Sequence, residues 1–467
     1  MREEKDSLGR EFLADEVLYG INTLRSSNNF PASDEKINPE FIKAYLLVKK
    51  AAAITNFNCG LLNGTIFNYI LNAIDLLIDE TESALKDEEY DIYNKIIVDP
   101  YQGGAGTSLN MNINEVIANT ALLLKGENKG RYDIIHPIDH VNLSQSTNDT
   151  FITALKIASI KMIRNLSSAF AQLQGALQKK EIEFSSVVKL GRTQLQDAVP
   201  ITLGQELGAY AQAIARDRWR LYNSEERLRS VNLGGTAVGN SVSAQKDYVL
   251  AVNNELNKIS GLPLAKAEDL IDATQNLDVF VEVHGLIKSG AVSLIKICND
   301  LRLMASGPNG GIGEIVLPAV QAGSSIMPGK VNPVILENVI QICELIKGND
   351  VTISNVVSSG NFELNSFSPL LAHLFLKSAE MLKKVIINLS EKCIAGIKAD
   401  EKKCKENLLK STAIAASLIN HLGYDAVASL VKESIEEKKS FIQILNEHKV
   451  FSEEEIFNIV LKELGIS

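Results

Sequence analysis

The chain has 467 residues, 45% of them hydrophobic, and a formal net charge of −10. That length allows several packed layers or two to three domains, and the acidic balance argues against nucleic acid or an anionic membrane as a partner. Five cysteines (Cys59, Cys298, Cys343, Cys393, Cys404) form no C-x-x-C pair and six scattered histidines give no H-E-x-x-H or comparable ligand cluster, which predicts reduced thiols in a cytoplasmic protein and does not suggest a metal site.

The opening residues Met1-Arg2-Glu3-Glu4-Lys5-Asp6 are charged and lack the apolar stretch of a signal peptide. No apolar run reaches the roughly eighteen residues of a membrane span. Residues 1–141 read as a mixed, mostly helical N-terminal domain, with a turn at His136-Pro137. Within it, Gly103-Gly104-Ala105-Gly106-Thr107-Ser108 is a glycine-rich turn ending in hydroxyls ahead of a helix. Such a helix start can hold an anion. It is not a dinucleotide fingerprint, because Gly104-Ala105-Gly106-Thr107-Ser108-Leu109 lacks the third glycine.

Residues 142–396 read as a central domain of long helices. It opens on Ser144-Gln145-Ser146-Thr147-Asn148-Asp149, six consecutive hydrogen-bonding side chains. Capping a helix needs one or two of them, so the surplus points to ligand contacts. Apolar periodicity near 3.6 then predicts helices over 150–182, 202–230, 276–305, 334–358 and 366–392. An apolar stripe opens the first, and Thr202 is the N-cap candidate of the second, with Glu206 in its first turn. The polar run Gly191-Arg192-Thr193-Gln194-Leu195-Gln196-Asp197-Ala198-Val199-Pro200 reads as a loop leading into that second helix.

Between the third and fourth helices lies Gly323-Ser324-Ser325-Ile326-Met327-Pro328-Gly329-Lys330-Val331-Asn332-Pro333. Neither a helix nor a central strand tolerates that mixture. As a loop it offers close-approaching backbone N–H groups, the Lys330 charge and the Asn332 amide to a small anion. Ser324 or Ser325 becomes a base only if several N–H groups stabilise its alkoxide. A Walker A loop is excluded: Gly323 to Gly329 is one residue too long, and Val331 follows the lysine. Residues 397–467 carry shorter, charged helices and read as a small C-terminal helical domain.

The expected fold class is therefore mainly all-α, with a long-helix bundle at its centre and smaller N- and C-terminal domains. Helices this long exceed what one small domain covers, which predicts association of several copies. The polar clusters supply hydroxyls, amides and one lysine, a donor set suited to a dicarboxylate whose intermediate gains negative charge.

The 323–333 segment resembles the signature of the fumarase/aspartase superfamily, and the three other polar clusters match it in order and spacing. The resemblance runs from Leu18-Tyr19-Gly20-Ile21-Asn22-Thr23-Leu24-Arg25 through Leu233–Gly239 and Leu301–Pro308 to Asn420–Tyr424. Thr193-Gln194 and Asp272-Ala273-Thr274-Gln275-Asn276 are similar to the aspartase branch; fumarases carry histidine at the position of Gln194.

The resemblance implies reversible elimination of ammonia from L-aspartate to give fumarate, without a cofactor. It implies Ser324 as the general base at C3, and Thr107, Ser146, Thr147 and Ser325 around the β-carboxylate. Lys330, Asn332 and Thr193 would hold the α-carboxylate, and Asn148 and Gln194 the amino group. It also implies a homotetramer with a core of about twenty helices and sites shared by three subunits. Fumarate hydratase, a lyase for a substituted aspartate and an inert helical scaffold are the alternatives. The chain departs from the aspartase pattern at Asn22, Ile138, His140, Ile152, Asn240, Asn309 and Asn361.

Overall fold

The computed structural model describes residues 1–86, 91–323 and 326–466. The chain opens with an antiparallel pair, β1 (Arg2–Asp6) and β2 (Gly9–Leu13), and continues through α1 (Ile21–Asn29), α2 (Pro39–Asn58), α3 (Gly64–Leu85), α4 (Ile92–Lys95) and α5 (Thr107–Lys125). A π-helical turn at Pro137–Val141 precedes the longest helix, α6 (Thr147–Glu183). Strands β3 (Val188–Thr193) and β4 (Gln196–Thr202) lead into α7 (Leu203–Leu228). There follow β5 (Ser230–Val231), α8 (Lys246–Ser260), β6 (Ala265–Lys266), α9 (Asp272–Gln275), α10 (Asp278–Met304), β7 (Ile315–Val316), α11 (Val334–Val357), α12 (Ser368–Lys392) and β8 (Lys398–Ala399). Five short helices close the chain: α13 (Glu401–Lys410), α14 (Ala415–Leu422), α15 (Tyr424–Glu437), α16 (Phe441–Glu447) and α17 (Glu453–Glu463).

The architecture is mainly helical, with only two-stranded sheets among the described residues. All five expected long helices are present as α6, α7, α10, α11 and α12. Thr202 caps α7 as expected, accepting from Gln205 N at 2.9 Å, while Gln205 Oε1 accepts from Thr202 N at 3.0 Å. The start of α6 is not a stripe: every residue from Phe151 to Ile160 is buried, so this segment lies inside the core.

The 191–200 segment corrects the expected loop. It belongs to a hairpin in which Thr193 pairs with Gln196 around a two-residue turn. Gln194 and Leu195 both have positive φ, 54° and 61°. Two-residue hairpin turns of this kind favour Asn-Gly or Gly-Gly, and Gln-Leu gives no such signal.

The chain forms two compact units. The first comprises residues 1–166, 220–288 and 345–381, with α2 packed against α3 and α8. The second comprises 167–219, 289–344 and 382–467. In this unit the C-terminal helices share a core with β3: Val188 and Leu190 pack with Leu408, Ile414, Leu418, Phe441, Leu445 and Ile456.

Candidate active site

In the first unit, α5 starts at Thr107 behind Gly106, whose φ of +92° suits glycine. A Cβ there would lie 2.1 Å from the Phe151 ring, so the glycine also allows the α5 start to seat on α6. No side chain of the N-cap residue bonds the helix; Gln102 Oε1 instead accepts from Leu109 N at 2.9 Å. The Thr107 hydroxyl is exposed and donates to Gly104 O at 2.8 Å.

The 144–149 run divides its work. Ser146 and Asp149 cap α6 reciprocally: Asn148 N donates to Ser146 Oγ (3.2 Å) and Ser146 N to Asp149 Oδ1 (3.0 Å). Ser144 bonds Asn56, and the Gln145 amide donates to Val141 O and Leu143 O. Asn148 Nδ2 donates to Ala237 O at 2.6 Å. A carbonyl oxygen only accepts, so this contact assigns the amide nitrogen and leaves Asn148 Oδ1 as a spare acceptor. The surplus of six side chains thus reduces to few groups: the Thr147 hydroxyl has no hydrogen-bond partner among the described residues, and the Ser146 hydroxyl keeps its proton to donate.

Beneath this run sits Lys49, fully buried on α2. Its Nζ donates to Asn110 Oδ1 (2.7 Å), Asn142 Oδ1 (2.9 Å) and Gln145 Oε1 (3.0 Å). Asn110 lies one turn into α5 from Thr107 and itself donates to Asn142 at 3.2 Å. One amide network therefore joins the Thr107 helix start to the segment that carries Ser146. Burial pulls the Lys49 ammonium down to about 7, against the charge of Asp149. Burial pushes the Asp149 carboxyl up to about 6, opposed by the N–H groups of Ser146, Thr236 and Gly234.

Asn22 is committed to structure. Its backbone and side chain donate to Glu115 Oε1 at 2.9 and 3.0 Å, beside Thr23 Oγ1, which donates to Oε2 at 2.6 Å. His140 likewise accepts the His136 N–H at 2.8 Å inside the π-helical turn.

In the second unit, Thr193 and Gln194 stand exposed at the hairpin tip. Consecutive non-glycine residues at positive φ carry a strain of about 1–3 kcal/mol each, and such strain concentrates where a side chain must be aimed. Arg192, one residue before, anchors the turn. Its Nη1 and Nη2 donate to Glu314 Oε2 and Oε1 at 3.0 and 2.8 Å.

The described part of the 323–333 segment, Gly323 and residues 326–333, is a loop, as expected. Met327-Pro328-Gly329-Lys330 forms a β-turn, with Lys330 N donating to Met327 O at 3.3 Å and Gly329 at φ +83°. Proline followed by a positive-φ glycine is the type II pattern. Asn332 Nδ2 donates to Gly323 O at 2.6 Å and closes the base of the loop. A Cβ on Gly323 would lie 1.8 Å from Lys330 O, so only glycine fits there. The second amide proton of Asn332 stays available, and Lys330 is exposed with no ion pair among the described residues. Ser324 and Ser325 lie outside the described residues.

Thr107, Ser146, Thr147 and Asn148 thus belong to the first unit, and Thr193, Gln194, Lys330 and Asn332 to the second. Among the described residues no cluster of three His, Cys, Asp or Glu side chains could hold a metal ion. Sequence reading missed Lys49 and Glu314. The one available signal was a lysine pair, Lys49-Lys50, set between the apolar runs Tyr45-Leu46-Leu47-Val48 and Ala51-Ala52-Ala53-Ile54.

The sequence profile of a protein family described as "Lyase" matches residues 10–348. The chain is 45% identical over 460 residues to an aspartate ammonia-lyase of Bacillus sp., covering 98% of this chain and 96% of that one. It is 43% identical over 469 residues to the aspartate ammonia-lyase of Helicobacter pylori, covering 100% and 98%. In structure it is similar to a fumarate lyase:delta crystallin protein of Brucella melitensis, with a TM-score of 0.93 and 41% identity over 100% of this chain and 99% of that one.

Proposed function

We propose that this chain, which belongs to the aspartate ammonia-lyase family of the fumarase/aspartase superfamily, is a carbon–nitrogen lyase that eliminates ammonia from L-aspartate to give fumarate, reversibly. The observation that carries this reading is the orientation of Asn148. With Nδ2 held by Ala237 O, Oδ1 has no partner among the described residues and remains an acceptor suited to an ammonium. A neutral amide there receives the amino group without having to give it a proton.

In this reading Ser324 takes the C3 proton. The electron pair passes into the β-carboxylate as an enediolate-type dianion, then returns to form the C2–C3 double bond as the C–N bond breaks and ammonia leaves. Thr107, Ser146, Thr147 and Ser325 donate to the β-carboxylate, and their hydrogen bonds strengthen as charge builds, which is the differential binding catalysis needs. The Thr107 hydroxyl, which donates to Gly104 O, turns to the substrate on binding. Lys330, Asn332 and Thr193 hold the α-carboxylate, and Gln194 joins Asn148 at the amino group. The Lys330 contact holds the α-carboxylate in place, and the β-carboxylate becomes the dianion because it adjoins C3, whose proton Ser324 removes.

The reading includes three domains, 1–141, 142–396 and 397–467, in a cytoplasmic homotetramer whose sites each draw on three subunits. Exposed apolar side chains along the long helices, among them Ile182, Val292, Leu303 and Val351, support association. No helix among the described residues is long and apolar enough to cross a membrane.

Ligand-linked stability separates this reading from an inert scaffold. Succinate, an unreactive dicarboxylate, is expected to raise the thermal midpoint, by about 2.7 kcal/mol of stabilisation at a hundredfold excess over its Kd. Propionate, which lacks the second carboxylate, is expected to leave the midpoint unchanged. Equal midpoints with and without succinate at saturating concentration would contradict a dicarboxylate site.

A further inference from the structure

The second unit holds a buried polar cluster that the proposed chemistry does not use. Glu314 is fully buried, and four donors occupy its carboxylate. Oε1 accepts from Arg192 Nη2 at 2.8 Å and from Asn407 Nδ2 at 3.2 Å. Oε2 faces Arg192 Nη1 at 3.0 Å and Lys189 Nζ at 3.1 Å. Lys189 is itself buried and also pairs with Glu206 at 2.7 Å. The main chain pins Glu314 at both ends: its N–H donates to Met304 O at 2.9 Å, and its carbonyl accepts from Asp400 N at 3.0 Å. The carboxylate is thus a fixed point.

A buried ion cluster of this kind contributes little net stability, because desolvation offsets most of the Coulomb gain. What it does supply is direction. A bidentate contact sets the plane of the guanidinium as well as its distance. Arg192 directly precedes Thr193 and Gln194, and it sits just beyond a register shift between Leu190 and Arg192. At that shift Gly191 lets the strands close up: a Cβ there would lie 2.5 Å from Val199 O. The bend turns Arg192 inward to Glu314, while the next two side chains stand exposed at the tip.

We propose that Glu314 is the positioning residue for the Thr193–Gln194 turn: by fixing Arg192 it sets where the α-carboxylate and the amino group of the substrate are received. The inference rests on the substrate reading of Thr193 and Gln194 given above. It also assigns Arg192 an inward role as anchor, not as a substrate ligand. Burial alone would push the Glu314 carboxyl up, but the Arg192 hydrogen bonds and the Lys189 and Arg192 charges hold it below the ordinary carboxylate value, so it stays ionised at neutral pH.

Three variants, Glu314→Gln, Arg192→Lys and Gln194→Ala, are compared by steady-state kinetics with L-aspartate. Glu314→Gln keeps the shape and removes the charge; KM is expected to rise at least tenfold while kcat stays within threefold. Arg192→Lys keeps the ion pair and loses the fork; KM is expected to rise three- to tenfold. Gln194→Ala is expected to raise KM at least tenfold. A purely structural ion cluster would reduce yield or active fraction and leave KM in place. If Gln194→Ala raises KM while Glu314→Gln and Arg192→Lys leave it within twofold, the positioning role is overturned and the substrate reading stands. If none of the three moves KM, the substrate reading of the turn fails and this inference fails with it. Should Glu314→Gln not fold, Arg192→Lys decides alone.

Discussion

Ser324→Ala is expected to lower kcat with L-aspartate by about 10²- to 10⁴-fold, the range set by loss of a general base. The C3 proton beside a carboxylate is weakly acidic, and water is a poor substitute for a base held against it. A serine acts there only as a stabilised alkoxide, so alanine removes the base outright. The substitution deletes a single oxygen, so the thermal midpoint and the oligomer size are expected to match those of the parent protein. Fumarate formation and size-exclusion chromatography measure the two effects. Retention of a tenth of the parent kcat would remove Ser324 as the base.

Lys330→Ala is expected to raise KM for L-aspartate with a smaller change in kcat. The size of the effect depends on water. Lys330 is exposed and has no ion pair among the described residues. A lysine–carboxylate pair that stays in water contributes about 1 kcal/mol or less. If the loop closes over the substrate and desolvates the pair, the loss is about 2–4 kcal/mol, or roughly 30- to 1000-fold in KM. An unchanged KM would remove Lys330 from the α-carboxylate site. A change of a few-fold would keep the contact and reject closure.

The long helices were legible because burial writes itself into sequence as period: the run read as 202–230 is α7, Leu203–Leu228. The glycine-rich and signature loops were legible for a similar reason, since only loops accept their composition. The hairpin at Thr193–Gln196 was not, because its turn residues, Gln194 and Leu195, adopt positive φ without the asparagine or glycine that signals such a turn. Division of labour in the 144–149 run was equally hidden. Which of its six side chains face inward depends on partners far away in sequence, such as Ala237 for Asn148 and Lys49 for Gln145.

Departures from the aspartase pattern also acquire local reasons. Ile152 is a buried core residue of α6, Asn22 a donor to Glu115, and Asn240 an acceptor for Val242 N. Asn309 is exposed, and nothing in the structure explains its identity.

The most direct test of the central claim is to add the purified protein to L-aspartate, following absorbance near 240 nm for fumarate and assaying ammonia in the same samples, with L-malate in parallel. Fumarate and ammonia are expected in equal amounts from L-aspartate, with no comparable rise from L-malate. Fumarate from L-malate alone would contradict the account and make the protein a hydratase in spite of Gln194. Silence with both substrates would contradict L-aspartate as the substrate and move the search to its substituted derivatives.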